Sequence, residues 1–356
     1  MKETGMIQRV DPSKMLAPVR PLAKGLLAGA LMAGMVAVLI VVSPAAVAST
    51  QVRVERILTH FDLASHQQPE NLVLEPDGSV DVTFAAAGQV ARVTPDGKTH
   101  VLATLPAPAA GSSAPIVGPI IGGNTFVGGI VRGADGTLYF NYSTGSANLT
   151  GIWRLRPGSH ATPERLTALP ASSLANGLAL DKHTGLLYVA DSALGNIWRV
   201  SIHGGTPTVW ASGSALAPTS RLGANGIKVH HGAVWVSNTD AGTVLRIPVS
   251  QTGGAGGIET RATGLQGIDD FAFPGQGDTI VAAIITMNQL AIVNPDGTHN
   301  IVLTAADGLS NPTSVALRGS TIIVANSAYV TKTDPDLLLV HLSYSMEREE
   351  TMVVSE

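Results

Sequence analysis

The chain has 356 residues, of which 45% are hydrophobic and 13% charged, and its formal net charge is −4. This composition is typical of a folded globular protein and excludes a disordered or fibrous one. The sequence contains no cysteine, so disulfide bonds and lipid attachment to cysteine are excluded, and stability must come from burial of a core.

The first 48 residues have the layout of a secretory signal peptide. Five Lys or Arg residues precede the apolar run GLLAGALMAGMVAVLIVV, and Ala46-Val47-Ala48 places small residues at a typical cleavage site. We expect cleavage after Ala48 and a secreted or extracytoplasmic protein. An uncleaved membrane anchor is the alternative, because about 18 apolar residues are just enough to span a bilayer.

The partners expected from the charge are small molecules. Removing residues 1–48 takes away five basic and two acidic residues, which moves the formal net charge from −4 to −7. No basic patch remains for nucleic acid, and an acidic surface attracts cations instead. We expect no nucleic-acid partner and no membrane contact beyond the signal segment; the sequence does not predict an oligomeric state.

After the signal, a pattern of strand, tight turn, strand, loop, strand, turn and strand recurs six times, with a period in the range of propeller blades. The sequence therefore predicts an all-β, six-bladed β-propeller over residues 49–345, followed by a tail at 346–356. The segment RVERILTHFDL (residues 53–63) is expected to supply the missing fourth strand of blade 6 and to close the ring. A β-sandwich or two separate β-domains is the alternative.

In a propeller, the residue that begins the first strand of each blade points at the channel axis. Alignment of the six strand starts makes these positions equivalent: Glu70, Gly128, Asn176, Asn225, Asp269 and Thr313. Four of them carry carboxylate or amide oxygens, the ligands of Ca²⁺ or another hard divalent cation, whereas zinc and copper favour His or Cys. The predicted metal ligands are Glu70, Asn176, Asn225 and Asp269. The alternative is that Asn-Gly is a common turn dipeptide and that polar channel residues hold water.

At these residues the chain resembles the SMP-30/gluconolactonase/LRE-like superfamily of six-bladed propellers, which is related more distantly to paraoxonases. The resemblance covers residues 53–343 and is carried by PENLVLEPDG, ANGLALDKHTGLLYVADSALGNIWRV, ANGIKV and GIDDFAF. It implies a calcium ion at the top of the channel on the four ligands above, with Asp270 adjacent, and hydrolysis of lactones or esters. Strictosidine synthases are similar in fold and lack that chemistry.

The predicted function is that of a calcium-dependent hydrolase. The metal would polarise the carbonyl group of a lactone or ester, and Asp269 or Asp270 would accept the proton of the attacking water. Paraoxonase-like relatives place histidines near the metal, which this chain does not repeat. The turns that the alternation puts on the opposite face hold His183, His203, His230, His231 and His299; only His66, four residues before Glu70, is placed to approach the top.

Substrate contacts are expected from the loops between second and third strands on the same face. The candidates are Phe84, Tyr142, Asp191, Asn238, Met287, Asn288 and Tyr329, together with His66. The Gly/Pro-rich connection at 107–129 is predicted to form a lid with Phe126 pointing inward, and a floppy insertion is the alternative.

Other enzyme classes are excluded by their missing motifs. No G-x-S-x-G, H-E-x-x-H or Walker sequence occurs, which argues against serine hydrolases, zinc proteases and nucleotide enzymes. Two other functions stay open beside the hydrolase: a non-catalytic exported propeller that binds a small molecule or protein, and a biosynthetic enzyme that does not hydrolyse its substrate.

Overall fold

The structure, a computed structural model, describes residues 47–158 and 162–347. The predicted signal segment up to residue 46 and residues 348–356 of the predicted tail lie outside these ranges, so signal cleavage and export stay predictions. Within the described ranges, no helix combines the length and apolar character needed to cross a membrane.

The described chain forms six four-stranded antiparallel sheets, taken here in chain order. It begins with β1 (Val47–His60). Blade 1 is β2 (Pro69–Leu74), β3 (Val80–Phe84), β4 (Gln89–Val93) and β5 (Thr99–Thr104), and the connection that follows contains the short helix α1 (Gly118–Ile121). Blade 2 is β6 (Phe126–Arg132), β7 (Leu138–Ser143), β8 (Gly151–Leu155) and β9 (Glu164–Ala168). Blade 3 is β10 (Ala175–Asp181), β11 (Leu186–Asp191), β12 (Asn196–Ser201) and β13 (Gly204–Ser212).

Blade 4 is β14 (Ala224–His230), β15 (Ala233–Asn238), β16 (Thr243–Pro248) and β17 (Glu259–Ala262). Blade 5 is β18 (Ile268–Ala272), β19 (Ile280–Ile284), β20 (Gln289–Val293) and β21 (His299–Leu303), and blade 6 contains β22 (Pro312–Arg318), β23 (Thr321–Asn326) and β24 (Asp336–Glu347). Two single 3-10 turns, Ile285–Met287 and Ala305–Asp307, lie in blade 5 and after it.

The ring closes through the first strand. The strand order of blade 6 is β1-β24-β23-β22, and β1 pairs with β24 from Val47 opposite Glu347 to His60 opposite Asp336. The predicted all-β, six-bladed propeller closed by an N-terminal strand is confirmed. Pairing of the two ends of the described chain ties blade 6 together without a disulfide, and β24 continues two residues past the predicted end at 345.

The hydrophobic core lies between the facing sheets of adjacent blades. Tyr188 of blade 3 packs edge-on against Trp210 and joins one cluster with Val234 of blade 4, while Trp235 of blade 4 belongs to the next cluster with Phe271 of blade 5. Alternate residues of each middle strand therefore face different neighbouring blades. Both faces of the second strands are buried, as the complete burial of β3, β7 and β15 shows.

The six inner strands β2, β6, β10, β14, β18 and β22 crowd together at the axis. A Cβ atom on Gly177 would lie 2.3 Å from the carbonyl oxygen of Asn225 in the next blade, and one on Gly226 would lie 2.7 Å from that of Asp269. These glycines are the second residues of the two Asn-Gly steps. They are required because the backbones of neighbouring inner strands approach too closely for any side chain there.

Replacing Gly177 with Ala tests this crowding. The new methyl group would force β10 and β14 apart, so we expect Gly177→Ala to lower the free energy of unfolding by about 1–3 kcal/mol, the usual cost of overpacking. Denaturant unfolding followed by circular dichroism gives the value. Gly257→Ala is the control, because nothing lies within 4 Å of its added Cβ. Equal stability of the two variants would contradict the close approach.

Candidate metal and substrate site

A β-bulge at the start of each inner strand aims the axial side chains. In blade 3, Ala175 pairs with Asp191 and the next paired residue is Leu178 with Val189, so two residues of β10 oppose one of β11. The same shift occurs between Ala224 and Ile227 and between Ile268 and Phe271. Bulges bend a strand and redirect a side chain, and here they turn Asn176, Asn225 and Asp269 towards the axis.

Polar side chains on the second strand of one blade donate hydrogen bonds to the bulge backbone of the next blade. Asn141 Nδ2 donates to the carbonyl oxygens of Asn176 and Gly177, at 2.9 and 3.0 Å. Ser237 Oγ donates to the carbonyl of Asp269 at 2.5 Å. Asn176 and Asp269 are therefore fixed by two blades, because their main-chain oxygens are bonded across the gap between the blades.

The four predicted ligands line one cavity. Glu70, Asn176, Asn225 and Asp269 are all buried and all border a space of about 160 Å³ at the end of the channel where the inner strands begin. The two other axial positions add no side-chain ligand: Gly128 has no side chain, and Thr313 Oγ1 bonds to the Pro69 carbonyl at 3.1 Å. Convergence of the four residues is thus observed, while metal binding stays a prediction.

Two buried carboxyl groups dominate the electrostatics of the cavity. Burial raises the pKa of Glu70 to about 7, although the Tyr329 hydroxyl donates to Glu70 Oε2 at 2.6 Å and opposes that rise. Burial and then the charge of Glu70 raise the pKa of Asp269 well above its usual value. Among the described residues that line the cavity there is no Lys, Arg or His. Protons or a bound cation must therefore compensate the two carboxylates.

The donor set fits a hard cation. Asn225 Nδ2 donates to Thr239 Oγ1 at 2.8 Å, which leaves its Oδ1 available to the cavity, and within the described chain no hydrogen bond engages the amide of Asn176. Two carboxylates and two amide oxygens are the ligand types that Ca²⁺ prefers, and water completes its shell of six to eight. The residues present could therefore hold calcium.

The structure separates Asp270 from this cavity. Lys228 Nζ bonds both carboxylate oxygens of Asp270, at 2.5 and 2.7 Å, and Asn71 Nδ2 donates to Oδ2 at 3.0 Å. Asn71 and Lys228 border the opposite opening of the channel, and Asp270 is not among the described residues that line the cavity. Of the two predicted proton acceptors, only Asp269 faces the site.

The Gly/Pro-rich connection covers the cavity as an apolar cap. Val117, Ile120 and Ile121, in and just before α1, line it from above, and Phe126 at the start of β6 points into it. Val117, Ile121 and Phe126 are buried in a cluster with Leu174 and Tyr329. Phe126 therefore lies inward, at the position that the sequence analysis gave it, while the function of the connection as a lid stays a prediction.

Four predicted substrate residues lie inside the blades instead. Phe84 packs edge-on against Phe61, and the Tyr142 hydroxyl donates to the Pro106 carbonyl at 2.8 Å. Asp191 accepts hydrogen bonds from two main-chain amides of its own loop, from the amide of Leu174 and from Trp198. Asn238 donates to the carbonyls of Ala215 and Ala217. These side chains stabilise the ends of the second strands and make no contact with the cavity.

The other predicted residues divide between the rim and the cavity. Asn288 accepts hydrogen bonds from Asn311 in the next connection, Met287 is 59% exposed, and His66 lies in an exposed turn beside Gly122 of the cap. Tyr329, by contrast, lines the cavity through its contact with Glu70. The structure thus brings Phe126 and Tyr329 to the site and leaves His66, Met287 and Asn288 around it.

Sequence reasoning missed several lining residues. Thr239, Asn311, Leu222, Ile285 and Val330 border the cavity. Thr239 directly follows the predicted Asn238 in the sequence. Asn238, the last residue of β15, caps the turn, and it is the next residue that reaches the cavity. The apolar residues come from loops of irregular length, which no repeat pattern in the sequence marks.

Comparisons with known proteins support the fold. No protein-family profile and no curated protein sequence matches this chain. Among solved structures it is similar to the luciferin-regenerating enzyme (12% identity, TM-score 0.59, covering 82% of this chain and 95% of that one) and to the calcium-binding protein regucalcin from Agrobacterium tumefaciens (14%, 0.58, 80% and 92%). It is also similar to the PQQ-bound aldose sugar dehydrogenase from Streptomyces coelicolor (16%, 0.58, 84% and 100%). The resemblance seen in the sequence is confirmed at the level of the fold, which hosts different chemistries.

The raised pKa of Glu70 predicts a pH-dependent stability. Since the folded, metal-free protein keeps a proton on this group up to about pH 7 and the unfolded chain releases it near 4.5, the free energy of unfolding falls as pH rises through that interval. The Glu70 contribution is about 3 kcal/mol.

The measurement is denaturant unfolding in chelator at several pH values from 4.5 to 8, for the native protein and for Glu70→Gln. Glutamine still accepts the Tyr329 hydrogen bond but does not titrate. Burial also raises the pKa of Asp336 to about 7, so the decisive quantity is the difference between the two curves, which contains Glu70 together with its effect on Asp269. Parallel curves would show that Glu70 does not carry the effect.

Proposed function

We propose that this protein is an exported, calcium-dependent hydrolase that acts on a small lactone or ester. The observation that carries the proposal is the convergence of Glu70, Asp269, Asn176 and Asn225 on one buried cavity that no described basic residue borders. A water-exposed carboxylate pair is stabilised by solvent, whereas a buried pair is compensated by protons or by a cation. Regucalcin, a calcium-binding protein, has a similar fold, which is consistent with this assignment.

The residues divide into ligands and a base. Glu70 is suited to a ligand role because Tyr329 fixes one of its oxygens, and the two asparagines provide neutral oxygens that limit the negative charge. Bound calcium would supply a Lewis acid that polarises the substrate carbonyl. Asp269 would accept a proton from the attacking water and return it to the alkoxide oxygen released when the ester C–O bond breaks. Burial raises the pKa of Asp269, whereas a bound cation would lower it, so the two effects oppose each other in setting its strength as a base.

The cap defines the kind of substrate. The cavity of about 160 Å³ is smaller than the usual ligand pocket, and its upper wall consists of Val117, Ile120, Ile121, Phe126 and Val330. An apolar wall offers no hydrogen bonds to a polyhydroxylated compound, so desolvation disfavours sugar lactones. Short alkyl lactones and esters fit the wall and the volume, and larger compounds require the cap to move.

Calcium binding is the first test. We expect calcium to raise the melting temperature relative to chelator, because an ion that binds only the folded state stabilises it. Asp269→Asn and Asn176→Ala should weaken calcium binding in titration calorimetry by about tenfold or more. Asp296→Asn, in the exposed β20–β21 turn, is the matched control and should bind normally. A native protein whose melting temperature ignores both calcium and chelator would refute the metal site.

Hydrolysis is the second test. We expect purified protein to hydrolyse alkyl lactones or aryl esters in calcium, to stop in chelator and to recover on readdition, with alkyl lactones preferred over sugar lactones. Asp269→Asn should lower kcat by about 100-fold or more through loss of the base. Because Asp269 is also a ligand, the rate is compared at saturating calcium. Calcium binding without turnover of any compound would instead support the non-catalytic binding protein.

A further inference from the structure

The channel has a second, wider opening at the end opposite the cavity. It has a volume of about 880 Å³ and is bordered by the later residues of the inner strands, such as Leu74 and Leu180, and by the turns that follow them. Because each inner strand starts at the cavity and ends here, the two sites lie at opposite ends of the same strands. This opening holds His230 and His231.

Two histidines and a carboxylate from adjacent blades meet at this opening. His230 and His231 lie at the β14–β15 turn, and Asp278 lies in the β18–β19 connection of the next blade. Asp278 Oδ1 is 3.6 Å from His230 Nε2 and 3.8 Å from His231 Nδ1, and the three potential ligand atoms lie within 4.8 Å of one another.

The ring of His230 is held in place before any ligand binds. It stacks on Phe273 with ring centroids 3.8 Å apart and an interplanar angle of 8°, and the edge of Trp235 packs beside it. Its side chain is only 13% exposed. His231 stacks on His230 at 3.9 Å but is 51% exposed, so its ring is less confined than that of His230. One fixed and one adjustable imidazole is a favourable arrangement for capturing an ion.

We propose that His230, His231 and Asp278 form a second metal site, specific for a borderline divalent transition ion such as Zn²⁺, Cu²⁺, Ni²⁺ or Co²⁺. Two imidazole nitrogens and one carboxylate oxygen are typical ligands of these ions, whereas calcium requires an all-oxygen shell. Bond lengths of about 2.0–2.1 Å put neighbouring ligand atoms roughly 3–3.5 Å apart. Asp278 is near this range at 3.6 and 3.8 Å, whereas the His231 ring, which stacks on His230 with an interplanar angle of 30°, must turn out of the stack to share an ion with it.

The site would join two blades and remain open on one side. Its ligands come from blades 4 and 5, so a bound ion adds a crosslink at the lower rim. Three protein ligands leave at least one position for water or for a small ligand entering the opening, as in open metal sites. His230 Nε2 donates a hydrogen bond to the carbonyl oxygen of Gly277 at 3.1 Å, and this bond must be given up when Nε2 binds an ion. Gln276 Oε1 lies 3.5 Å from His231 Nε2.

Cobalt and zinc titrations test the proposal directly. The protein is purified through a tag that contains no histidine and is stripped with chelator. We expect one equivalent of Co²⁺ to give a visible d–d absorption band that Zn²⁺ abolishes and Ca²⁺ does not. His231→Ala and Asp278→Asn should each weaken Zn²⁺ binding by more than about tenfold, since even loss of groups that only orient ligands has an effect of that size.

His183→Ala is the matched control, because His183 is an exposed histidine at the corresponding β10–β11 turn of blade 3. It should bind Zn²⁺ normally, and so should Glu70→Gln at the other end of the channel. Asp278→Asn changes only a partly exposed surface group and keeps the test valid if His231→Ala folds poorly. Failure of the native protein to bind Co²⁺ or Zn²⁺, or loss of binding in His183→Ala to the same extent, would overturn the proposal.

Discussion

The close approach of six backbones around one axis is the constraint on which the rest of this protein depends. Gly177 and Gly226 exist because the carbonyl oxygens of the next blade occupy the space of a side chain. The bulges that accompany this crowding turn the preceding residues inward. An Asn-Gly step at the start of an apolar strand therefore has two purposes: the glycine permits the approach, and the asparagine places an oxygen at the axis.

Charge follows from that geometry. Crowding at the axis excludes solvent, so the carboxyl groups that the bulges bring together become difficult to ionise. The cap of Val117, Ile120 and Ile121 increases this effect by closing the cavity above them. The tandem Asp269-Asp270 would place a third negative charge in the same place. Lys228 neutralises Asp270 instead, which leaves one free carboxylate from the pair to act with Glu70.

The axial residues could be predicted from sequence because they repeat once per blade. Glu70, Asn176, Asn225 and Asp269 occupy the same place in an alternating pattern, and the ring closure forces equal positions to converge. Pairing of Asp270 with Lys228 lies outside that pattern, since it joins two different inner strands at a depth that no repeat specifies. The sequence placed four more residues on the correct face of the propeller, but their side chains point into the blades and not into the cavity. They cap turns or pack between blades there: Phe84, Tyr142, Asp191 and Asn238.

Loops and turns gave the weakest predictions for a physical reason. Their side chains are positioned by contacts between distant segments, such as Tyr329 with Glu70 or Asn288 with Asn311, and not by strand alternation. The turn histidines illustrate the same limit: alternation placed His230 and His231 on the opposite face, but only the fold shows that Asp278 and Phe273 of the next blade adjoin them. β14 thus has the oxygen donor Asn225 at one end and the imidazole of His230 at the other. Between these ends, Lys228 of the same strand pairs with Asp270 of the next blade.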